Sequence, residues 1–168
     1  MCLICDRIAM IQRGENPYFV KELQTGYVVL GDHQHFRGYT LFLFKEHGRQ
    51  TELFHLPMDV RMLFLREMTL VAEAAARAFD AEKMNYELLG MGDAHLHWHL
   101  FPRRKGDIAG YGNQGVGPVW WYPIEKMYDG ANRPAPGQLD AMKQRLLLHL
   151  DQLTDRPAHT CDIGNGAV

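Results

Sequence analysis

The residues best suited to chemistry are three histidines at alternate positions, His95, His97 and His99. Side chains along a β-strand alternate between its two faces, so a strand here would direct all three imidazoles to one face, about 6.6–7 Å apart. The apolar residues between them would face the opposite way, onto a hydrophobic core. Imidazoles in such a row can share a zinc ion. Alternatively, a neutral imidazole whose second nitrogen is held by an acceptor can attack a phosphorus atom.

A second set of possible ligands lies at the start of the chain, where Cys2 and Cys5 form a Cys-x-x-Cys pair. The third cysteine, Cys161, stands alone near the end, and three cysteines are too few for a disulfide framework. No export signal is evident, so the pair is typical of half a metal site or of two reduced thiols. The spacing leaves both interpretations open.

The composition limits the class of protein. The chain has 168 residues, 46% of them hydrophobic, and a net charge of −2. This length predicts one domain, which we place at residues 1–154, followed by a flexible tail at 155–168. No apolar run is long enough to span a membrane, and the balanced charge argues against binding to a nucleic-acid polymer. We therefore expect a cytoplasmic protein that contacts neither a membrane nor a nucleic-acid polymer.

Hydrophobic periodicity predicts the elements that position these residues. Five segments alternate or are rich in β-favouring residues, which predicts strands at 18–23, 27–30, 39–44, 85–89 and 95–101. Apolar residues at steps of three and four predict helices at 57–79 and 139–153. Shorter helices or turns are expected at 5–13 and 49–55, and a loop at 103–118. The spacing of the strands predicts an α+β domain, with an antiparallel sheet of about five strands and helices on one side.

The segment His95-Leu96-His97-Trp98-His99-Leu100-Phe101 resembles the motif of the histidine triad (HIT) family of nucleotide hydrolases and transferases. In that motif, histidines alternate with hydrophobic residues. Three further segments resemble family motifs: the Cys-x-x-Cys start of many bacterial members, the Gly-His-Thr-Leu strand entry and a Lys-x-His motif. They are Cys2-Leu3-Ile4-Cys5, Arg37-Gly38-Tyr39-Thr40-Leu41 and Lys45-Glu46-His47. The resemblance spans residues 2–105. A looser match at 117–121 points to the bacterial diadenosine polyphosphate hydrolase branch.

The resemblance implies a role for each member of the triad. His97 would be the nucleophile, attacking the α-phosphate of a nucleotide to form a covalent nucleotidyl-histidine, and His99 would hydrogen-bond the phosphate or the bridging oxygen. The implied substrates are dinucleoside polyphosphates or nucleoside phosphoramidates. In zinc-containing members the remaining ligands would form a closed structural site, here Cys2, Cys5, His47 and His95. The family also implies a homodimer, and no organic cofactor.

The sequence departs from the family pattern near the expected ribose and leaving group. Gly31 stands where many members carry an Asp or Asn that holds the ribose, so Asp32 becomes the candidate for that contact. Tyr39 stands where the family usually has histidine. The turn before the triad is shorter than usual, and Gly92 and Asp93 are its candidate nucleotide contacts.

Two other functions remain open from the sequence. One is a metallohydrolase in which His95, His97 and His99 all bind a catalytic zinc. The other is a nucleotide-binding regulatory protein with little turnover. The pair Trp120 and Trp121 is compatible with stacking on a base and equally with burial against the sheet or a partner subunit.

Overall fold

The structure is a computed structural model that describes residues 2–111 and 115–155. The strands within these residues are β1 (Phe19–Glu22), β2 (Gly26–Leu30), β3 (Thr40–Phe44), β4 (Lys83–Leu88) and β5 (His97–Arg103). The α-helices are α1 (Leu3–Gln12), α2 (Met58–Ala78), α3 (Ile124–Met127) and α4 (Pro136–Thr154), with 3₁₀ turns at Leu53–His55, Val119–Trp121 and Gly130–Asn132. None of the helices in this part of the chain is both long and apolar enough to cross a membrane. Of the tail predicted at residues 155–168, residues 156–168, which include Cys161, lie outside the described residues.

The strands form one antiparallel sheet in the order β1-β2-β3-β5-β4. Helix α2 connects β3 to β4, and β5 then enters between those two strands. The strand that carries the triad therefore has a hydrogen-bonded neighbour on each side, which holds its backbone in place. This arrangement confirms the predicted α+β class.

The first face of the sheet packs on α2, and α4 packs on α2 in turn. The predicted apolar stripe of α2 is confirmed, because Phe64, Val71 and Ala75 are completely buried in this core. The residues between the histidines share the core: Leu96 and Leu100 are buried, and Trp98 packs against them. The alternation of the triad strand thus separates a helix-facing side from a histidine-bearing side.

The opposite face is also covered, so the prediction of helices on one side is correct for α2 and α4 and wrong for α1. Helix α1 buries Ile4 and Ile8, which are four residues apart and share one helix face, in a second cluster. Val119 and Met127, in a segment for which the sequence predicted no structure, complete that cluster. The histidines consequently lie on a face that α1 and the segment at 119–127 partly cover.

The boundaries of β5 differ from the prediction of residues 95–101. The strand begins at His97 because its neighbour β3 ends at Phe44, whose N–H donates to the carbonyl of Leu96 (3.0 Å). It continues to Arg103 because β4 still pairs with it there. Pairing with β3 has already stopped at Leu100, so Pro102 lies opposite Met84 of β4 alone. Proline is tolerated where a strand is hydrogen-bonded on only one side.

Candidate active site and metal centre

His97 is held by a backbone carbonyl from two residues earlier in the chain. Its Nδ1 lies 2.6 Å from the carbonyl oxygen of His95. A carbonyl can only accept, so Nδ1 carries the proton and the neutral ring has its lone pair on Nε2. The side chain is nearly buried, at 5% exposure, yet it lines an open cleft. This is the form that a nucleophilic imidazole requires.

His99 continues the same hydrogen-bond chain. Its Nε2 lies 3.0 Å from His97 Nε2, and its Nδ1 lies 2.5 Å from the hydroxyl of Tyr39. Because neutral His97 has no proton on Nε2, that contact requires His99 to donate from its own Nε2. The Nδ1 of His99 must then accept, and Tyr39 is the donor. One proton arrangement therefore satisfies the whole series from Tyr39 through His99 to His97.

Burial keeps His99 and Tyr39 uncharged. Loss of solvent, reinforced by neighbouring His97, lowers the pKa of His99 from 6.5 to about 4. Burial likewise raises the pKa of Tyr39 well above its usual value, so the phenol remains a hydrogen-bond donor. Near neutral pH, His99 is thus a neutral donor positioned beside His97.

Tyr39 and Gly31, two of the departures from the family pattern, are in direct contact. A Cβ placed on Gly31 would lie 2.2 Å from Cδ1 of the Tyr39 ring. The ring is also stacked on Phe101, with centroids 4.3 Å apart and planes within 6° of parallel. It therefore occupies the space that a side chain at position 31 would need. This contact explains why no carboxylate or amide can stand there.

A cleft of about 330 Å³ opens in front of His97 and His99. Its other lining residues come from α1, the β2–β3 connection, β3 and the loops: Leu3, Ile4, Arg7, Gly31, Asp32, His33, Tyr39, Leu41, Asp93 and Tyr128. The candidate ribose ligand Asp32 does line this cleft. Its Oδ1 lies 2.6 Å from Arg7 Nη1, so the carboxylate is in an ion pair across the cleft wall.

The two candidates in the turn before the triad have different positions. Asp93 lines the cleft, but its Oδ1 accepts from the backbone N–H of Leu3 (3.1 Å) and so satisfies a free donor at the start of α1. Gly92 is not among the residues that line the cleft. The turn before the triad is a bend within the connection between β4 and β5.

The structure brings all four candidate metal ligands together. One ligand atom from each of Cys2, Cys5, His47 and His95 lies within 4.8 Å of the others. Two atoms bound to the same tetrahedral zinc are about 3.3–3.8 Å apart, given bonds of about 2.0–2.3 Å. The distances from His95 Nδ1 to the sulfurs of Cys2 and Cys5, 3.8 and 3.5 Å, match this spacing. The Cys5 sulfur and His47 Nδ1 are closer, at 2.8 Å, and would separate slightly around an ion.

Local hydrogen bonds orient the candidate metal ligands. The Nε2 of His95 lies 2.7 Å from the carbonyl oxygen of Phe44, so that nitrogen carries the proton and Nδ1 is free to face the sulfurs. Cys2 is the N-cap of α1, and its sulfur accepts from the N–H of Cys5 (3.4 Å).

The same geometry separates His95 from the rest of the triad. His95 Nδ1 faces the cysteines and its Nε2 is occupied by Phe44, whereas His97 and His99 face each other and the cleft. Among the described residues, the cluster with metal-binding geometry contains neither His97 nor His99. The arrangement does not support a three-histidine catalytic zinc.

A second cavity, which we call the aromatic pocket, lies on the other side of His99. It encloses about 180 Å³ and is lined by Glu87, Leu89, His99, Phe101, Val119, Trp120, Tyr122, Ile124, Met127 and Tyr128. Trp120 and Trp121 are both exposed, at 73% and 45%, so neither is buried against the sheet, and Trp120 alone of the two lines the pocket. Sequence analysis missed this pocket because its walls come from segments far apart in the chain. The cluster of aromatic residues at 119–128 was its only sequence signal.

Comparisons with known proteins agree with this description. No protein-family model matches the sequence, and neither does any curated protein. Solved structures do match. A histidine triad protein from Marinobacter aquaeolei is 26% identical, with a TM-score of 0.62, over 80% of this chain and 89% of that one. One from Sinorhizobium meliloti is 22% identical, with a TM-score of 0.66, over 82% and 93%.

A zinc-bound histidine triad family protein from Mycobacterium smegmatis is also similar, with 22% identity and a TM-score of 0.58 over 91% of this chain and 95% of that one. These likenesses cover 80–91% of the chain. They show that the chain has the fold of histidine triad proteins, and His95, His97 and His99 give it the triad motif that the sequence resembles.

Proposed function

We propose that this protein cleaves nucleotides at the α-phosphate through a covalent intermediate on His97. The observation that carries the proposal is the hydrogen bond from His97 Nδ1 to the carbonyl of His95, because it leaves the Nε2 lone pair beside the cleft. The resemblance to nucleotide hydrolases and transferases supports the same reaction class. Whether water or another phosphate accepts the nucleotide decides between hydrolase and transferase.

In the first step, His97 Nε2 forms a bond to the α-phosphorus. The bond from phosphorus to the leaving group breaks, and its electron pair goes to the leaving atom. His97 keeps its Nδ1 proton and gains a positive charge, which is stabilised by the His95 carbonyl. His99 turns its Nε2–H from His97 to the phosphate or to the bridging atom, where negative charge develops.

In the second step, water attacks the phosphorus from the side that the leaving group has vacated. The N–P bond breaks and its electron pair returns to His97 Nε2. The proton released by water neutralises the leaving group or passes to solvent. A nucleoside monophosphate is released, and both histidines return to their starting forms.

The test is to replace His97 with Asn, which removes the nucleophilic nitrogen while retaining a polar side chain. We expect release of the monophosphate to fall at least 1,000-fold, by analogy with the loss of other catalytic nucleophiles, with the fold and nucleotide binding retained. Exposed His55, outside the cleft, provides the matched control His55→Asn, which should have wild-type activity. Near-normal turnover by the His97→Asn protein, or a trapped adduct on another residue, would overturn the proposal.

We further propose that Cys2, Cys5, His47 and His95 bind one structural zinc ion. Two thiolates and two imidazoles fill a tetrahedral shell and leave no position for a catalytic water. The ion would fix the N-terminus of α1, which supplies Leu3, Ile4 and Arg7 to the cleft wall. Its role would therefore be to hold that wall in place.

Metal analysis tests the zinc proposal. We expect one zinc per wild-type chain and much less than one in Cys2→Ser, while Cys161→Ser, which makes the same substitution at the unused cysteine, retains the ion. A chelator should lower the unfolding temperature before it lowers activity, because structural zinc sites contribute directly to folding stability. Full zinc occupancy in Cys2→Ser would refute the assignment.

We also propose that the protein is a homodimer, as the family resemblance implies. Strands β1 and β4 form the two edges of the sheet, and an edge strand requires cover. Light scattering should give twice the chain mass of 19.3 kDa. A mass of one chain at micromolar concentration would contradict it.

A further inference from the structure

We infer that the aromatic pocket receives the leaving group of the substrate, and that this group is an apolar amine. Nucleoside phosphoramidates of such amines would then be cleaved in preference to dinucleoside polyphosphates. This inference rests on the proposed attack by His97, and it selects one of the two substrate classes that the family resemblance leaves open.

Position is the first argument. The aromatic pocket and the nucleotide cleft share His99 and Tyr128, so they meet beside the nucleophile. A substrate whose phosphorus is in contact with His97 can place its nucleoside in the larger cleft, beside Asp32. The bond that breaks then points past His99 toward the smaller pocket. Whatever occupies the aromatic pocket is therefore attached to the phosphorus on its departing side.

The lining of the pocket is the second argument. Nine of its ten lining residues are aromatic, aliphatic, Met or His, and these include the accessible faces of Trp120 and Ile124. Such walls gain free energy by covering a flat apolar group, and they offer few hydrogen bonds to a phosphate chain. The volume of about 180 Å³ suits a single small ring system better than a second complete nucleotide.

Charge is the third argument. Glu87 is the one residue with a formal charge among those lining the pocket, and it lies directly opposite His99 on β4. The nucleotide cleft adds Asp32 and Asp93 but only one cation, Arg7, which is already paired with Asp32. A polyphosphate leaving group would carry its negative charges toward Glu87 with no unpaired cation lining either cavity. A neutral amine, or one that becomes cationic as it leaves, avoids that repulsion.

The basic run at 103–105 does not supply the missing charge. Arg103 donates from Nε and Nη2 to the two carboxylate oxygens of Asp107, at 2.7 Å each, and from Nη1 to Asn85, and its side chain is buried. Arg104 and Lys105 line a different cavity with Glu82. Arg103 itself lies four residues from His99, about 13 Å along the strand.

The reaction balances with one water. His97 Nε2 bonds to phosphorus while the P–N bond breaks, and its electron pair goes to the leaving nitrogen, which accepts a hydrogen bond from His99 Nε2–H and takes a proton from solvent. Water then displaces His97 from phosphorus, the electron pair of the N–P bond returns to His97 Nε2, and the proton lost by water passes to solvent. The products are the nucleoside monophosphate and the free amine, which acquires a further proton from solvent at neutral pH.

The experiment compares three substrates with the same nucleoside: adenosine 5′-phosphoramidates of 2-phenylethylamine and of methylamine, and diadenosine tetraphosphate. We expect kcat/KM for the phenylethyl compound to exceed that for the tetraphosphate at least 10-fold, and to exceed that for the methyl compound severalfold. An equal or higher value for the tetraphosphate would overturn the inference while leaving attack by His97 intact. If none of the three is cleaved, the proposed function fails, and the inference fails with it.

A pair of adjacent tryptophans supplies the matched variants. Trp120→Ala should reduce the preference for phenylethyl over methyl about 10-fold, because the apolar wall is lost. Trp121→Ala should leave it unchanged, since Trp121 does not line the pocket. Equal effects of the two substitutions would refute the assignment. A change in dimer mass for Trp120→Ala without a change in preference would also refute it and would assign this surface to a second copy of the chain.

A substitution of Glu87 tests the charge argument. Glu87→Gln should raise kcat/KM for the tetraphosphate severalfold relative to that for the methyl phosphoramidate. Glu82→Gln, the same substitution next to the start of β4 and outside the aromatic pocket, should change neither value. If the tetraphosphate is cleaved no faster by Glu87→Gln than by the wild-type protein, Glu87 does not select against anionic leaving groups and the charge argument is wrong.

Discussion

Removing the hydroxyl of Tyr39 should slow catalysis without weakening nucleotide binding. In the native site this hydroxyl is the donor to His99 Nδ1 at 2.5 Å, and it thereby keeps the proton of His99 on Nε2, 3.0 Å from His97. In Tyr39→Phe the Nδ1 atom has lost that donor. The tautomer with the proton on Nδ1 then becomes competitive, although it would set two nitrogen lone pairs against each other.

The size of the effect follows from the one hydrogen bond lost. A hydrogen bond between neutral groups contributes about 0.5–1.5 kcal/mol net. If loss of this bond raises the activation barrier by the same amount, the reaction slows about 2- to 13-fold. We expect kcat to fall within this range while KM changes less than twofold. The free energy of unfolding should decrease by about 1–2 kcal/mol, since a buried acceptor has lost its donor.

The assay combines steady-state kinetics with the ¹⁵N NMR signals of the His99 ring, which report the tautomer directly. The matched control is Tyr27→Phe, which removes a hydroxyl from a buried tyrosine in the same apolar cluster that makes no contact with the triad. That control should leave kcat and the tautomer unchanged. Wild-type kcat in Tyr39→Phe, or a slower enzyme whose His99 keeps its native tautomer, would refute the reasoning.

Three further predictions concern stability. Gly31→Ala should cost about 1–3 kcal/mol through overlap with the Tyr39 ring, and a double-mutant cycle with Tyr39→Ala should recover most of that cost. The His99 pKa of about 4 lies below the unfolded value of 6.5, so its contribution to stability is present above pH 6.5 and is lost as the pH falls toward 4. Between pH 7 and 5 the free energy of unfolding should fall by about 2 kcal/mol for this reason. Urea titrations should find that His99→Gln lacks this component. Glu67, buried in α2, accepts hydrogen bonds from the N–H groups of residues 24 and 25 and from the Thr25 hydroxyl. Glu67→Gln should therefore lower the free energy of unfolding by about 1–3 kcal/mol in the same titrations. An unchanged midpoint would show that these contacts do not stabilise the β1–β2 turn.

The orientation of the triad strand could be predicted because it depends on local geometry alone. A period of two places His97 and His99 on one face and Trp98 and Leu100 on the other in any strand. The buried positions of α2 follow equally from a period of 3.6. Neither prediction required knowledge of which strands are neighbours, and the structure confirms both.

Features that depend on contacts between distant segments could not be predicted from the period of the sequence. The extension of β5 through Pro102 depends on where β3 stops, and the sequence around Pro102 does not contain that information. The role of Asp93 depends on Leu3, which is 90 residues away in the chain. The resemblance correctly grouped Cys2, Cys5, His47 and His95, but spacing alone gave no means of joining residue 47 to residue 95.

The contact between Gly31 and Tyr39 joins two departures that sequence comparison treats as separate. Because the Tyr39 ring fills the space above Gly31, a site that uses a phenol to orient His99 cannot also keep a ribose-binding side chain at position 31. The cleft acid has instead moved one residue along, to Asp32, where its charge is shared with Arg7. A tyrosine at position 39 thus both donates to His99 and fills the space at position 31. For this reason Tyr39 and Gly31 should be exchanged together in any attempt to give this cleft the usual family pattern.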